Sequence, residues 1–360
     1  MMRIIPVALI PGDGIGPEVV AEAQRVLDQV ARMSGRFRFQ YRSFDWSCQY
    51  YLAHGKMMPD DGLKILQDFE AIFLGAVGFP PVPDHVSLWG LLLPIRREFD
   101  QYVNLRPVKL LRGIESPLRE VAPGEIDFVV IRENTEGEYS NSGGRLRQGT
   151  PQEVVVQNAV FTRYGTERVI RYAFERAVHS RQHVTSATKS NGLNFSMPFW
   201  DEVFRAVGQA YPQVKQELYH IDALAAYFVT RPKSFDVVVA SNLFGDILTD
   251  LGGAITGGIG IAPSANINPE KRYPSMFEPV HGSAPDIAGR GIANPIGQIW
   301  TGALMLEHFG LMAEAELLVD AIEATLLDGV KTPDLGGRHT TRDVTDHIIK
   351  RLTAWEKAPE

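Results

Sequence analysis

The 360-residue sequence predicts an α/β fold with mostly parallel sheets, and three observations carry the prediction. Short apolar runs alternate with amphipathic stretches of helical period, the order that a parallel sheet with crossover helices requires. Several runs, Val237 to Ala240 among them, are apolar at every position, as strands covered on both faces are. The length is that of two domains, each with ample core.

In chain order, Ile4 to Ile10 reads as the first strand and Glu18 to Ala31 as the helix after it. Between them Gly12, Gly14 and Gly16 have the wrong spacing for a dinucleotide fingerprint, with Pro17 directly after the third glycine. Pro17 and Glu18 are an ordinary helix start, so this loop is read as a tight turn that can line a cleft. Leu63 to Leu66 reads as helix before a strand at Ala71 to Leu74; Phe128 to Ile131 and Val237 to Ala240 are further buried strands. Gln152 to Arg163 differs: it is β-rich, follows Gly143 and Gly144 without a helix, and reads as a hairpin arm. Gly252 to Pro295, rich in Gly and Pro, is too long for a plain connector and is read as functional.

A net charge of −7 and a pI near 5.8 argue against nucleic acid and anionic membranes as partners. No apolar stretch approaches the ~18 residues of a spanning helix, and the run at the N-terminus is short for a signal peptide. Cys48 is the sole cysteine, which rules out an intramolecular disulfide. The expectation is a soluble cytoplasmic protein. Against the acidic background, Arg96, Arg97, Arg106, Arg112, Arg119 and Arg132 crowd one stretch. Such a cluster points to a small anionic ligand, although some of these charges are simply solvated.

Arg96 falls on a helical stretch, Arg106 before Pro107 and Arg132 at a strand end. If the fold brings the three together, their forked donors bind carboxylates bidentately. Tyr139 is a candidate proton donor, set against an ordinary half-buried tyrosine. Lys189, at the end of a strand-like run, is a candidate general base, set against an isolated surface lysine. Asp222, flanked by apolar residues, reads on its own as a helix cap or a buried partnered acid. Asp246 and Asp250 lie four apart on one helical face after a strand. Their mutual repulsion suits a Mg2+ or Mn2+ site; alone, the pair serves equally well as a helix-start acid and a solvated one. Met276 to Pro295 is the candidate nucleotide loop: His281 could stack on adenine, and Asp286 could bond a ribose and repel a 2′-phosphate, favouring NAD over NADP. The alternative is an ordered surface loop with Asp286 capping a helix.

These segments together, GDGIGPE (12–18), RENTEGEYS (132–140), TKSN (188–191), SNLFGDILTDL (241–251) and FEPVHGSAPDIAG (277–289), resemble the β-decarboxylating dehydrogenases. That family includes isopropylmalate, isocitrate and D-malate or tartrate dehydrogenases, and the likeness covers nearly the whole chain. WSCQYYLAHGKMMPDDG (46–62), VPDHVSLWG (82–90) and RREFDQYVNLRPV (96–108) resemble its D-malate/tartrate branch.

The resemblance implies an isopropylmalate dehydrogenase-like two-domain fold. Residues 1–101 and 257–360 would form a cofactor-binding domain, and 102–256 a dimerisation domain with a protruding β arm at 141–163. It implies a homodimer whose active site is shared: Asp246 and Asp250 hold the metal from one subunit, and Lys189 and Asp222 reach it from the other. Arg96, Arg106 and Arg132 would bind the substrate carboxylates, with Asp222, Trp89 and Leu92 also at the substrate. His281, Gly282, Ser283, Ala284, Asp286, Ile287 and Asn294 would hold NAD; K+ is a further candidate ion. The implied reaction is NAD-dependent oxidative decarboxylation of D-malate to pyruvate and CO2, or of tartrate. Lys189 would take the hydroxyl proton and Tyr139 protonate the enol. Trp89, followed by Leu91, Leu92 and Leu93, takes up volume that a large C3 substituent needs; Ser87 is offset from the position an isocitrate-type hydroxyl would take. The competing readings are a 3-isopropylmalate dehydrogenase and a catalytically silent regulatory subunit, and the second predicts losses among Tyr139, Lys189, Asp222, Asp246 and Asp250 that the sequence does not show.

Overall fold

The computed structural model describes residues 2–356. In chain order the elements are β1 (Arg3–Gly12), α1 (Gly16–Ser34), β2 (Phe37–Ser43), α2 (Cys48–His54), α3 (Gly62–Leu66), β3 (Ala71–Ala76), α4 (Asp84–Ser87), α5 (Leu93–Glu98) and β4 (Val103–Lys109). There follow β5 (Asp127–Glu133), β6 (Gly143–Leu146), β7 (Val154–Gln157), α6 (Arg163–Val178), β8 (His183–Thr188), α7 (Ser196–Gly208), β9 (Lys215–His220), α8 (Ile221–Thr230), β10 (Val237–Ala240) and α9 (Asn242–Ile255). The chain closes with β11 (Pro263–Ile267), β12 (Ser275–Pro279), α10 (Ile296–His308), α11 (Met312–Leu327) and α12 (Thr341–Glu356).

Contacts divide the chain into two units. One holds the stretch up to Gln101, Arg106–Ile126 and the stretch from Gly253; the other holds Tyr102–Leu105 and Asp127–Gly252. The last crossing lies at 252/253 rather than the expected 256/257, and residues 106–126 rejoin the first unit. There Arg112 pairs with Glu323, Ser116 Oγ donates to the Ile255 carbonyl at 2.7 Å, and Ile114 lies against Gly257.

In the first unit the strand order is β2-β1-β3-β12-β11, parallel except for the antiparallel β11–β12 pair. Val19, Val20, Ala23, Val26, Leu27 and Val30 give α1 one buried stripe at helical spacing, and Gly35 ends the helix in the left-handed region with its N–H on the Ala31 carbonyl. α10 is buried from Ile296 to Leu306, as a helix at the centre of a unit is, and it packs on α1, α11, β11 and β12. The Gly252–Pro295 segment is therefore no structureless loop. It contains two wholly buried strands, hidden in the sequence because Pro263 and Pro279 sit at their ends.

In the second unit β5-β10-β8-β9 are all parallel. Phe128, Phe228 and Phe235 pack edge on face or tilted, with centroids 4.9–5.6 Å apart, while Trp200 is fully buried with its Nε1 donating to Ser186 Oγ at 2.9 Å. β6 and β7 form the expected arm as an antiparallel hairpin, shorter than predicted, and all of its strand residues are exposed in the single chain.

The glycine turn after β1 has a specific reason. Gly14 has φ +58°, and a Cβ there would stand 1.9 Å from the Ser283 carbonyl oxygen, which accepts the Ile15 N–H at 2.8 Å. Asp13 beside it is buried, its carboxylate accepting N–H groups of Cys48 (3.0 Å), Gly78 (3.1 Å) and Gln49 (3.4 Å). The turn thus clamps three loops. Gly14→Ala should lower stability in urea titration by at least ~1–2 kcal/mol, the left-handed backbone penalty alone, and an unchanged midpoint would show that the Ser283 loop is not held by this contact.

Candidate active site

β10 ends at Ala240, and α9 starts two residues later, so Asn242 and Asp246 leave the strand end on successive turns. β5 runs parallel beside it and carries Arg132 in register with Ala240. Arg132 is 3% exposed, and a buried guanidinium needs anionic and polar partners. Its Nη1 donates to Asp246 Oδ1, and its Nε and Nη2 donate to Asn242 Oδ1 at 3.1 and 2.7 Å. The Tyr139 hydroxyl donates to the other Asp246 oxygen at 2.9 Å, and the Arg132 guanidinium lies 5.4 Å from the Tyr139 ring centroid. Arg132, Tyr139 and Asp246 are thus brought together. Asp250 follows one turn later, exposed on the same face of α9.

This donor set fits a hard divalent cation. An ionised carboxylate has about four acceptor sites, and Asp246 accepts on both of its oxygens. Asp246 is one-third exposed, so its carboxylate can be reached from solvent. Among the described residues, no three His, Cys, Asp or Glu side chains of one chain gather into a metal-holding group. Lys189 sits just past β8 and forms a 2.9 Å ion pair with Asp222 in the first turn of α8. Lys189 is therefore not isolated, and the hydrogen bond it gives holds the Asp222 carboxyl below its ordinary value. Asp222 is not a buried acid either, since its side chain is 68% exposed.

In the first unit Arg96 lies on α5 and Arg106 on β4, both buried. Arg96 Nη2 donates to Glu278 Oε1 at 2.6 Å, and Asn266 Nδ2 donates to the same oxygen at 2.7 Å. Glu278, on buried β12, escaped the sequence reading because its neighbours Pro279 and His281 drew the segment into a loop. Trp89 lies on a π-turn spanning Leu88–Leu92, half-buried, with the Arg97 guanidinium 4.8 Å from its ring centroid. Leu92 packs on the core cluster around Met57, Leu91 and Phe99. Ser87 is buried and donates to the Asp84 carbonyl at 3.0 Å, so its hydroxyl is engaged within its own helical turn.

The candidate nucleotide loop folds onto the start of α1. Ala284 and Ile287 pack on Ile15, Val19 and Ala293, Ser283 is buried at Gly14, and the Gly289 N–H is held by Glu18. Gly282 and Asp286 are exposed, and Asp286 lies in a turn and caps no helix. His281 is turned inward, 8% exposed, and burial pushes its imidazole below its ordinary value. Its Nδ1 meets the Gly282 carbonyl at 2.9 Å, while Nε2 is buried without a partner. Asn294 is engaged at both ends of its amide, with Asp334 at 2.9 Å and the Ile296 N–H at 3.0 Å.

Glu133, next to Arg132, was also missed. It is fully buried, and its carboxylate gathers the Thr135 N–H and hydroxyl (2.8 and 2.9 Å) and the Glu136 N–H (3.0 Å), which sets the turn that leads to Tyr139. Burial outweighs these bonds and pushes its carboxyl up to about 7.

With the geometry established, comparison with known proteins gives a consistent result. A model of the isocitrate/isopropylmalate dehydrogenase family matches residues 6–348. A protein described as a probable tartrate dehydrogenase/decarboxylase of Bacillus subtilis (strain 168) is 60% identical over 352 residues, which covers 98% of this chain and 99% of the relative. The D-malate dehydrogenase (decarboxylating) of Escherichia coli (strain K12) is 57% identical over 358 residues, with coverage of 97% and 99%. The crystal structure of isocitrate dehydrogenase from Methylococcus capsulatus matches with a TM-score of 0.86 and 32% identity, over 97% of this chain and 99% of that one.

Glu133 gives a pH test. Because its folded value lies above its ordinary 4.5, its contribution is fully present below about 4.5 and is lost as pH rises through about 7. The loss is at most roughly 3–4 kcal/mol, from about 1.4 kcal/mol per pKa unit. Glu133→Gln should flatten that part of the decline in unfolding free energy between pH 4.5 and 8. Parallel curves for both proteins would refute the buried, uphill carboxylate.

Proposed function

The chain belongs to the isocitrate/isopropylmalate dehydrogenase family, and on that premise we propose that it is an NAD- and divalent-metal-dependent enzyme that oxidatively decarboxylates D-malate to pyruvate and CO2, with tartrate as a second substrate. The observation that carries the reading is the Arg132–Asp246–Tyr139 cluster: a cation for an acid, a carboxylate for a metal and a proton donor, held by direct hydrogen bonds. The names of the relatives at 60% and 57% identity support the substrates.

In this reading Arg96, Arg106 and Arg132 bind the two carboxylates of the substrate through their forked donors. Lys189, in its neutral form and through a water or neighbouring group, takes the proton of the 2-hydroxyl. The loop from His281 to Asn294 would hold NAD, which would supply the hydride acceptor for C2. Asp246 and Asp250, with the partner subunit's Asp222, would hold Mg2+ or Mn2+, which would supply Lewis-acid stabilisation for the hydroxyl and for the charge that develops as CO2 leaves. Tyr139 Oη then gives its proton to C3 of the enol. Its bond to Asp246 already orients the hydroxyl, so the donor is placed before the enol forms. The exposed apolar arm at β6 and β7 supports a homodimer, and the dimer is what brings Lys189 and Asp222 to the metal pair of the other copy.

Specificity for a small C3 group rests on Trp89, which the Arg97 stack holds in place, and on Ser87, whose engaged hydroxyl offers nothing to a third carboxylate. A panel of D-malate, tartrate, isocitrate and 3-isopropylmalate, followed by NADH and CO2 formation with Mn2+ or Mg2+ and with or without K+, tests the reading. Trp89→Ala should raise kcat/KM for 3-isopropylmalate relative to D-malate. Each methylene is worth roughly 1–3 kcal/mol in an apolar pocket, so a gain of one to several decades is expected. A flat ratio in a folded, active variant would make Trp89 ordinary packing.

The shared site has a direct test. Lys189→Ala and Asp246→Asn homodimers should each be nearly inactive. Mixed and allowed to exchange, half the dimers are heterodimers with one intact site in two, so activity should return to about a quarter of wild type, as lesions on separate sites add independently. No recovery after verified exchange would put Lys189 and Asp246 in one chain's site or remove one of them from catalysis.

A further inference from the structure

We propose that Glu138 is a positioning residue for the reaction: by gripping the first turn of α9, it holds the Tyr139 hydroxyl on Asp246. The inference rests on the dehydrogenase reading above. Glu138 precedes Tyr139, and its two carboxylate oxygens go to the same helix start. Oε1 accepts the buried Ser241 hydroxyl at 2.8 Å, and Oε2 accepts the Leu243 N–H at 3.1 Å. That N–H is one of the amides at a helix start with no acceptor inside the helix, and a negative charge is favoured there. The next residue, Tyr139, meets Asp246 one turn further along α9 at 2.9 Å. Two successive loop residues thus bind two successive turns of one helix, and the Asn242 Nδ2 to Glu136 carbonyl contact at 3.4 Å adds a weaker tie.

The loop is the less anchored partner, since its backbone tie from Gly137 runs to exposed Val160 at the end of the arm and not to α9. α9 follows buried β10 directly, carries the buried Leu248 and presses Gly245 against Arg132, whereas the segment after Tyr139 leads into the exposed arm. Losing Glu138 therefore lets Tyr139 drift from Asp246 while the helix stays in place. Sequence reading overlooked Glu138 because it stands in a run with Glu133 and Glu136, and nothing in spacing separates a helix-gripping glutamate from a solvated one.

The test is a double-mutant cycle in the full-length protein with D-malate, NAD and Mn2+, plus a measurement independent of turnover. Glu138→Ala should lower kcat about tenfold and move KM for D-malate less than about twofold, the signature of a lost transition-state interaction. Glu138→Gln, which keeps one acceptor but not the charge, should recover part of the loss. In a Tyr139→Phe background, Glu138→Ala should cost less than about twofold more, because coupled residues are non-additive. In the unliganded protein, the 13Cζ NMR signal of Tyr139, assigned through Tyr139→Phe, should shift in Glu138→Ala and shift less in Glu138→Gln. Should Glu138→Ala fail to fold, Glu138→Asp, with charge kept and reach shortened, is read in the same way. Multiplicative losses in the double variant, or an unmoved Tyr139 signal, overturn the proposal. If wild type turns over neither D-malate nor tartrate, the dehydrogenase reading fails, and the NMR comparison alone decides the role of Glu138.

Discussion

A guanidinium that is 97% buried must be neutralised where it stands, and the arrangement around Arg132 follows from that constraint. Taking the partner from such a buried charge strands it, which is destabilising. Asn242 and Asp246 meet the need only if α9 begins at the very end of β10 and runs close over β5. Closeness is what Gly245 supplies: a Cβ there would lie 2.6 Å from the Arg132 side chain. A glycine inside a helix costs about 1 kcal/mol relative to alanine, and here that cost is offset by the approach of helix to cation. Asp246 thereby becomes both counter-ion and candidate metal ligand.

The first unit applies the same logic with different parts. Arg96 is neutralised by Glu278 from β12, and Asn266 on neighbouring β11 donates to the same carboxylate oxygen. One forked nitrogen of Arg96 is engaged there, while its Nε is buried without a partner among the described residues. A cation that is held by a carboxylate but retains donors is preorganised: it needs no reorientation to meet an acid, and it does not rely on that acid to stay folded. Asp13 plays the corresponding part for backbone, its one carboxylate collecting amides from two further loops.

Much of this was legible in the sequence. Periodicity located β10 to the residue and β3, β5 and α1 within a few positions, since uniform burial writes itself directly into composition. The motifs singled out Arg132, Tyr139 and Asp246, which the structure brings together, and Lys189, which it pairs with Asp222. What stayed hidden were the partners. Glu278 and Asn242 look like any polar residue in a row, and their roles exist only after two distant segments are laid side by side; Glu133 bonds locally to Thr135 and Glu136, and only its burial depends on the fold. β11 and β12 were lost for a local reason, because terminal prolines mimic a loop. The glycines of GDGIG were recognised as a turn, but their reason, the Ser283 carbonyl pressed against Gly14, lies some 270 residues away in the chain.

The assembly of the first unit from separated stretches has a consequence for biosynthesis. β3 is apolar and buried at every position, and its neighbour on one side is β12. About two hundred residues, the entire second unit among them, leave the ribosome between these two strands. At about 5–20 residues per second, one edge of β3 waits roughly 10–40 s for its partner, and α10 arrives later still. The second unit, by contrast, holds all of its main strands in one stretch from β5 to β10 and can close as it emerges. The nascent chain therefore carries a finished domain above an unfinished one, and an unpaired apolar edge of this kind is what holdase chaperones capture.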